Sequence, residues 1–226
     1  MFVPFNVLPV VKAAAKEMTR YAINGVHFKR TAEGKAVAVA TDGRRLLTVT
    51  WSEQSKLQEK FPWNGEQKAR TGFAATVPVS AILRTAQLTD KRGDSSLGGF
   101  LIEEGEDASA SFVNIHAADL HRTSAVVKVA VLENKFPPYQ DVIPDYQIVK
   151  ETHITTDAAT KRGVRVGVNA KLLSELAAAM TAMCPNSNNV VSLIIPTDPS
   201  KPIRLDAVSV DGATTATAVI MPVSLG

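Results

Sequence analysis

The residues of this chain best suited to bind a metal or move a proton are four histidines (His27, His116, His121 and His153) and one cysteine, Cys184. Their densest grouping is His116-Ala117-Ala118-Asp119-Leu120-His121. A zinc protease needs two histidines one helical turn apart with a glutamate between them. Here the histidines are five apart and the acid is aspartate. On a strand they point to opposite faces, and on a helix they sit about 140° apart. We read them as polar surface histidines and expect no metal site. Cys184 precedes Pro185 at a helix end with no basic neighbour to generate a thiolate, which suits a structural thiol. Gly98-Gly99 lacks the lysine and hydroxyl residue of a phosphate-binding loop, and there is no serine elbow. The chemistry that remains is recognition: the chain reads as non-catalytic, with no cofactor.

Three helices are expected along the chain. Over Asn6–Arg20, Val7, Val10, Val11, Ala14, Ala15 and Met18 repeat at helical spacing, with Asn6 as a cap and Pro9 tolerated in the first turn. Lys12, Lys16 and Arg20 then share one polar stripe. Val79–Leu88 follows Pro78, with Ser80 as cap. Ala170–Met183 is capped by Asn169 and turns Leu172, Leu173, Leu176, Ala177 and Met180 inward. Strands are expected at 25–29, 36–40, 46–50, 99–103, 108–114, 124–131, 148–155, 164–168, 190–195, 203–210 and 215–221. Asn24-Gly25 and Asp42-Gly43 mark turns. The segments 52–70 and 91–96 read as a loop and a turn. A helix followed by turn-linked antiparallel strands occurs three times, which predicts an α+β fold of repeated helix-plus-sheet units. The run Lys135–Pro144, KFPPYQDVIP, reads as the junction between two domains, 1–140 and 141–226.

Bulk properties narrow the class. Of 226 residues 45% are hydrophobic and 21% charged, a composition that folds. A single cysteine rules out a disulfide framework within the chain. The apolar opening MFVPFNVLPVV is followed, not preceded, by Lys12, Lys16 and Arg20, unlike a signal peptide. No stretch approaches the ~20 apolar residues of a membrane span. We expect a cytoplasmic, nucleoid-associated protein. Net charge is only +3, but residues 1–72 hold twelve Lys/Arg against six Asp/Glu. That asymmetry suits a polyanion approaching one part of the surface.

Four segments in order resemble the bacterial DNA sliding clamp, the beta subunit of DNA polymerase III. Arg20-Tyr21-Ala22-Ile23-Asn24-Gly25-Val26-His27-Phe28 is similar to the family's arginine-tyrosine-x-leucine-asparagine-glycine-valine strand opening. Ala40-Thr41-Asp42-Gly43-Arg44-Arg45-Leu46 resembles ATDGHRL, with Arg44 for histidine. Lys135-Phe136-Pro137-Pro138-Tyr139 resembles KFPDY, with Pro138 for aspartate, and Val142 and Pro144 follow. Val219-Ile220-Met221-Pro222-Val223-Ser224-Leu225 resembles the VMPMRL ending, with Ser224 for arginine. Taken alone, Thr41-Asp42-Gly43 reads first as a hairpin turn, and Met221-Pro222 is open to reading as the end of an edge strand. Residues 1–140 resemble the middle domain of a three-domain clamp, and 141–226 a shortened last domain.

The resemblance implies a DNA-clamp fold and two surfaces. One is an apolar pocket for short peptide motifs of DNA polymerase, clamp loader or repair proteins. It is lined by Thr41, Gly43, Arg45, Leu46, Pro137, Val142, Val219, Met221, Pro222 and Val223. The other faces duplex DNA through its phosphate backbone. It uses Lys12, Lys16 and Arg20, with Arg84, Lys171, Lys91 and Arg92 as weaker candidates. Such contacts are electrostatic and indifferent to base sequence. The function implied is a processivity factor, a homo-oligomer that tethers partners to DNA in replication or repair. The alternative is a clamp-derived adaptor that binds the same peptides without forming a ring. Arg44, Pro138 and Ser224 bear on which peptides the pocket takes.

Overall fold

The computed structural model describes residues 1–17, 22–52, 73–88, 99–104, 112–119, 122–132, 135–146, 165–186 and 188–224. Eleven strands and three main helical segments alternate along it. They are β1 (Phe2–Pro4), the 3₁₀ helix η1 (Phe5–Ala13), β2 (Gly25–Arg30), β3 (Lys35–Thr41), β4 (Arg45–Ser52) and β5 (Ala74–Pro78). Then come α1 (Val79–Leu88), β6 (Gly99–Glu104), β7 (Phe112–Asp119), β8 (Arg122–Ala130), α2 (Ala170–Met183), β9 (Ser192–Ile194), β10 (Ile203–Val208) and β11 (Thr214–Ile220). The strands form a four-stranded sheet, β1-β6-β7-β8, and a seven-stranded sheet, β5-β2-β3-β4-β11-β10-β9. Every pairing is antiparallel. This is the α+β architecture of helices and antiparallel sheets that the sequence pattern predicts.

Alternation along the strands gives the large sheet two different faces. Ala36, Ala38 and Ala40 of β3, Leu47, Val49 and Trp51 of β4, Leu205 of β10, and Ala216 and Ala218 of β11 join the main core. That core also holds Val7, Val10 and Ala13 of η1, and Leu176, Ala179, Met180 and Met183 of α2. The alanines at the middle of the sheet leave room for two helical segments to lie close against it and each other. Asn6 Nδ2 donates to the Met183 carbonyl at 3.4 Å, joining the two segments.

The first two helix-plus-strands units exchange strands. β1, which precedes η1, pairs with β6, the first strand after α1. β5, which precedes α1, pairs with β2, the first strand after η1. The registers correspond: Pro4 faces Gly99, and Pro78 faces Gly25. A Cβ at Gly99 would fall 2.6 Å from the Val3 carbonyl, and one at Gly25 2.7 Å from the Val77 carbonyl. The chains therefore approach this closely only because both positions are glycine. The third unit, α2 with β9 to β11, joins the first through β11 and β4, paired from Thr214↔Trp51 to Ile220↔Arg45.

The predicted helices at 79–88 and 170–183 are found, and Asn169 caps the latter by accepting from the Lys171 and Leu172 amides. The 6–20 helix is corrected. It is 3₁₀, starts at Phe5 with Pro4 in the cap position, and ends at Ala13, where Ala14 turns extended (φ −70°, ψ 152°). Its buried residues Val7, Val10 and Ala13 follow the three-residue repeat of a 3₁₀ helix. Pro9 lies inside it, and the Ala15 amide donates instead to Ile23 at 2.8 Å. Ser80 lies within α1 rather than capping it. β7 runs from Phe112 through His116 to Asp119, further along the chain than expected. Of the 164–168 strand, only a bridge between Gly167 and Val223 forms. The 148–155 strand, most of the 52–70 loop and the 91–96 turn lie outside the described residues.

Candidate functional site

The turn between β3 and β4 is built from the second resemblance segment. Asp42 Oδ1 accepts from the Arg44 and Arg45 amides at 2.9 and 3.0 Å. Thr41 Oγ1 donates to the Arg45 carbonyl at 2.7 Å and accepts from the Gly43 amide at 3.1 Å. Gly43 sits at φ +84°. The turn is thus held at every position, with the Arg44 side chain left exposed. Its main chain receives the C-terminal segment, since the Met221 amide donates to the Arg44 carbonyl at 3.0 Å. Val223 then donates to Gly167 at 2.9 Å.

On the sheet face away from the helices, Val37, Val39, Leu46, Val219 and Phe136 form a second core, with Tyr139 and Ile143 packed on it. The segment 135–146 crosses this face as a strap. At one end the Phe136 ring stacks on His27, 5.0 Å between centroids, and Lys29 Nζ lies 5.1 Å from the Tyr139 ring centre. At the other, Arg204 Nη1 donates to the Pro144 carbonyl at 3.2 Å and the Tyr146 hydroxyl to Pro202 at 2.6 Å. Burial, with the charge of Lys29 adding to it, lowers the His27 pKa to about 4. The ring is neutral at ordinary pH, and its Nδ1 lies 3.0 Å from Thr76 Oγ1.

Besides Gly43 in the turn and Arg45, the residues expected to line one pocket divide into three groups. Thr41, Leu46 and Val219 are brought together by strand register, Thr41↔Leu46 and Leu46↔Val219, but all three are buried, Leu46 and Val219 in the cluster with Phe136 of the strap. Pro137 follows Phe136 on the strap, and Val142, 46% exposed, stands beside Ile143. Met221 and Val223 are 44% and 49% exposed and, with Pro222, line a cleft of about 510 Å³. Its other walls are Arg165, Gly167, Pro199, Ser200 and Ser224. Arg165, Gly167, Pro199 and Ser200 were outside the sequence expectation. They come from the lead into α2 and from the 198–201 turn, neither of which carries a motif.

Arg45 belongs to the opposite side of the sheet. Its guanidinium, 4% exposed, donates to Glu175 Oε2 of α2 at 2.6 Å, to the Lys12 carbonyl of η1 at 2.6 Å, and to Asp42 Oδ2 at 3.1 Å. It clamps the turn to both helical segments. The hydrogen bond from Arg45 holds the Glu175 carboxyl below the usual carboxylate range, helped by the charges of Arg45, Lys171 and Lys16.

Lys12, Lys16, Arg84 and Lys171 are all exposed. The single helical stripe of Lys12, Lys16 and Arg20 is corrected, because η1 stops before Lys16. Lys16 instead lies near Lys171 in the field of Glu175. Arg20, Lys91, Arg92, His121 and His153 lie outside the described residues. Among the described residues no group of three or more His, Cys, Asp or Glu gathers as metal ligands, and no helix is long and apolar enough to cross a membrane.

This arrangement of helices on antiparallel sheets is shared with bacterial beta sliding clamps. The chain aligns along 100% of its length with 65% of the C. crescentus beta sliding clamp (16% identity, TM-score 0.64), a structure with PEG bound to a putative beta-motif tethering region. It is similarly like the H. pylori beta clamp in complex with diflunisal (13% identity, TM-score 0.66, 97% of this chain and 64% of that one). A third likeness is to a sliding clamp, DNA polymerase III subunit beta, from Bartonella birtlesii bound to griselimycin (19%, TM-score 0.63, 97% and 64%). The chain thus spans about 65% of the length of such clamps. At these identities the likeness shows the fold. No protein-family model and no curated protein matches.

Proposed function

We propose that this chain is a clamp-like tether that docks replication or repair proteins through short peptides and meets duplex DNA with its helical face. In this reading residues 1–140 stand for the middle domain of a clamp and 141–226 for a shortened last domain. The observation that carries it is the position of the exposed Met221 and Val223. They line a cleft beside the 42–45 turn, on a fold shared with sliding clamps. Apolar side chains at the mouth of a cleft, beside main chain held by a rigid turn, suit a short extended peptide with apolar anchors. Arg45 fixes from behind the turn whose Arg44 carbonyl receives the Met221 amide. Lys12, Lys16 and Lys171 give the helical face positive charge for phosphates.

The test is fluorescence anisotropy with a labelled short peptide from a DNA polymerase. Binding that falls at least about tenfold in Met221→Glu supports the reading, since a buried anchor contributes about 1–3 kcal/mol. No binding, or binding indifferent to Met221→Glu, removes the peptide site. Retention on circular but not linear DNA would favour a closed ring. Peptide binding without retention would favour the non-ring adaptor.

A further inference from the structure

Along the candidate cleft the apolar and charged groups fall in a fixed order. The Met221 amide donates to the Arg44 carbonyl at 3.0 Å, which ties one end of the 221–224 segment to the 42–45 turn. Two residues on, the Val223 amide donates to the Gly167 carbonyl at 2.9 Å, in an antiparallel bridge. In such a bridge the partner segment runs backwards, so Arg165, two residues before Gly167, lies past Val223 on the side away from Met221. A step of two extended residues is about 7 Å. Met221, Val223 and Arg165 therefore follow one another along the cleft, and all three line it and are exposed.

Arg165 is the single charged side chain among the described residues of that lining. Another wall, Pro199 and Ser200, is held by Asp198, whose Oδ1 accepts from the Ser200 amide at 2.9 Å and from the Ser200 hydroxyl at 2.6 Å. That carboxylate oxygen and the serine proton are thus spent within their own turn. A ligand entering the cleft meets two apolar side chains and then a guanidinium. The guanidinium offers a rigid fork of N–H donors and no acceptor, which matches a carboxylate and repels a cation. Set in a concave wall, its charge is screened less by solvent and salt than on an open surface.

We propose that Arg165 is a specificity-determining residue that selects acidic partners. The occupant of the cleft is an extended peptide with two apolar anchors at alternate positions and an aspartate or glutamate at the next alternate position. Side chains of an extended chain return to one face every second residue. Anchors set against Met221 and Val223 therefore bring the next side chain on that face level with Arg165. The acid follows the anchors in a peptide running one way along the cleft and precedes them in one running the other way. Lysine at the same position meets like charge and is rejected. This deepens the peptide-docking reading and rests on it, adding which charge the partner carries and how far from its anchors.

The test uses the whole chain and competition against the labelled polymerase peptide. The competitors are blocked at both ends and carry leucine-serine-leucine. Glutamate, glutamine or lysine stands two residues after the second leucine in one series and two before the first in the other. In one series glutamate should compete about three- to tenfold better than glutamine, and lysine worse than both. Raising salt to about 1 M should shrink that spread. Arg165→Glu should reverse the order, so that lysine competes best, with an unchanged circular dichroism spectrum showing that the fold survives. Lys201→Glu makes the same change of charge on an exposed residue outside the cleft lining and should keep the parent order. A labelled peptide that does not bind, or binds indifferently to Met221→Glu, overturns the peptide reading and the selection with it. A label that binds through Met221 while the three competitors act alike, or while Lys201→Glu reverses the order as Arg165→Glu does, overturns the selection alone.

Discussion

The seven-stranded sheet is covered on both faces, but by different means. The helical face is closed by two segments packed over alanines, with Met180, Met183 and Leu205 fully buried. The outer face is closed by a strap of irregular chain that lays one aromatic ring, Phe136, on a small cluster. Helices satisfy most of their own backbone hydrogen bonds and can bury their sides. A strap must spend polar groups on its surroundings, as Pro144 and Tyr146 do with Arg204 and Pro202. One face is therefore continuous core. The other has exposed rims, and those rims hold Val142, Met221 and Val223. Buried apolar packing is concentrated on the first face, and the exposed apolar rims lie on the second.

Truncating one large side chain on each face gives the sharpest break in that contrast. Met180→Ala removes a fully buried side chain between α2 and the sheet and should cost about 3–4 kcal/mol in urea unfolding. Phe136→Ala, from a ring 8% exposed at the margin of a small cluster, should cost about 3 kcal/mol. Its second signature is specific to the strap: Leu46 and Val219 become accessible and the native protein gains binding of an apolar dye. Equal dye binding by the two variants would mean that the strap does not act as a separate cover.

Arg45 ties the 42–45 turn to the helical face, so its loss should be felt in both the core and the turn. Arg45→Ala should cost about 2–3 kcal/mol, because three charged or polar acceptors lose a nearly buried donor. Glu175 is left partly solvated, which keeps the figure below that of a stranded buried charge. Because the folded Glu175 carboxyl is held below its ordinary value, this contribution is present above the ordinary carboxylate range and lost as pH falls through the lowered value. Acid unfolding of the variant should lack that component. The same change should weaken peptide binding by loosening the 42–45 turn, even though Arg45 does not face the cleft.

What was legible in the sequence follows the same division. α1, α2 and its Asn169 cap, and most of the strands were readable because period and capping are local properties. The 42–45 turn was readable because Asp-Gly chemistry is local too. η1 misled because Val7, Val10 and Val11 suit either a 3.6- or a three-residue repeat, and only packing against α2 decides between them. Alternation puts Arg45 and its neighbour Leu46 on opposite faces, but which of the two turns to the helices is set by packing beyond the strand. The strand exchange was also beyond local reading. Its marks, Val3-Pro4 with Gly25 and Val77-Pro78 with Gly99, recur at the same offset, but their meaning lies in pairing across units.

The smallest expected effect concerns the hinge side of the strap, and it separates the faces by pH. His27 is neutral in the fold, with its pKa lowered from 6.5 to about 4 first by burial and then by Lys29. The unfolded chain binds a proton there that the folded chain refuses. Stability should therefore be full above about 6.5 and decline as pH falls from there toward about 4. After allowance for partial solvent screening, the amount is on the order of 1–2 kcal/mol. His27→Phe keeps a ring against Phe136 and removes the titration, so its stability between those pH values should be flatter than that of the parent. Protonation strains the contact under the strap and leaves the helical core alone. Dye binding should consequently rise in the parent across this window and not in the variant, while the far-ultraviolet helical signal of both stays constant. A helical signal that falls together with the rise in dye binding would show that the two faces open as one unit.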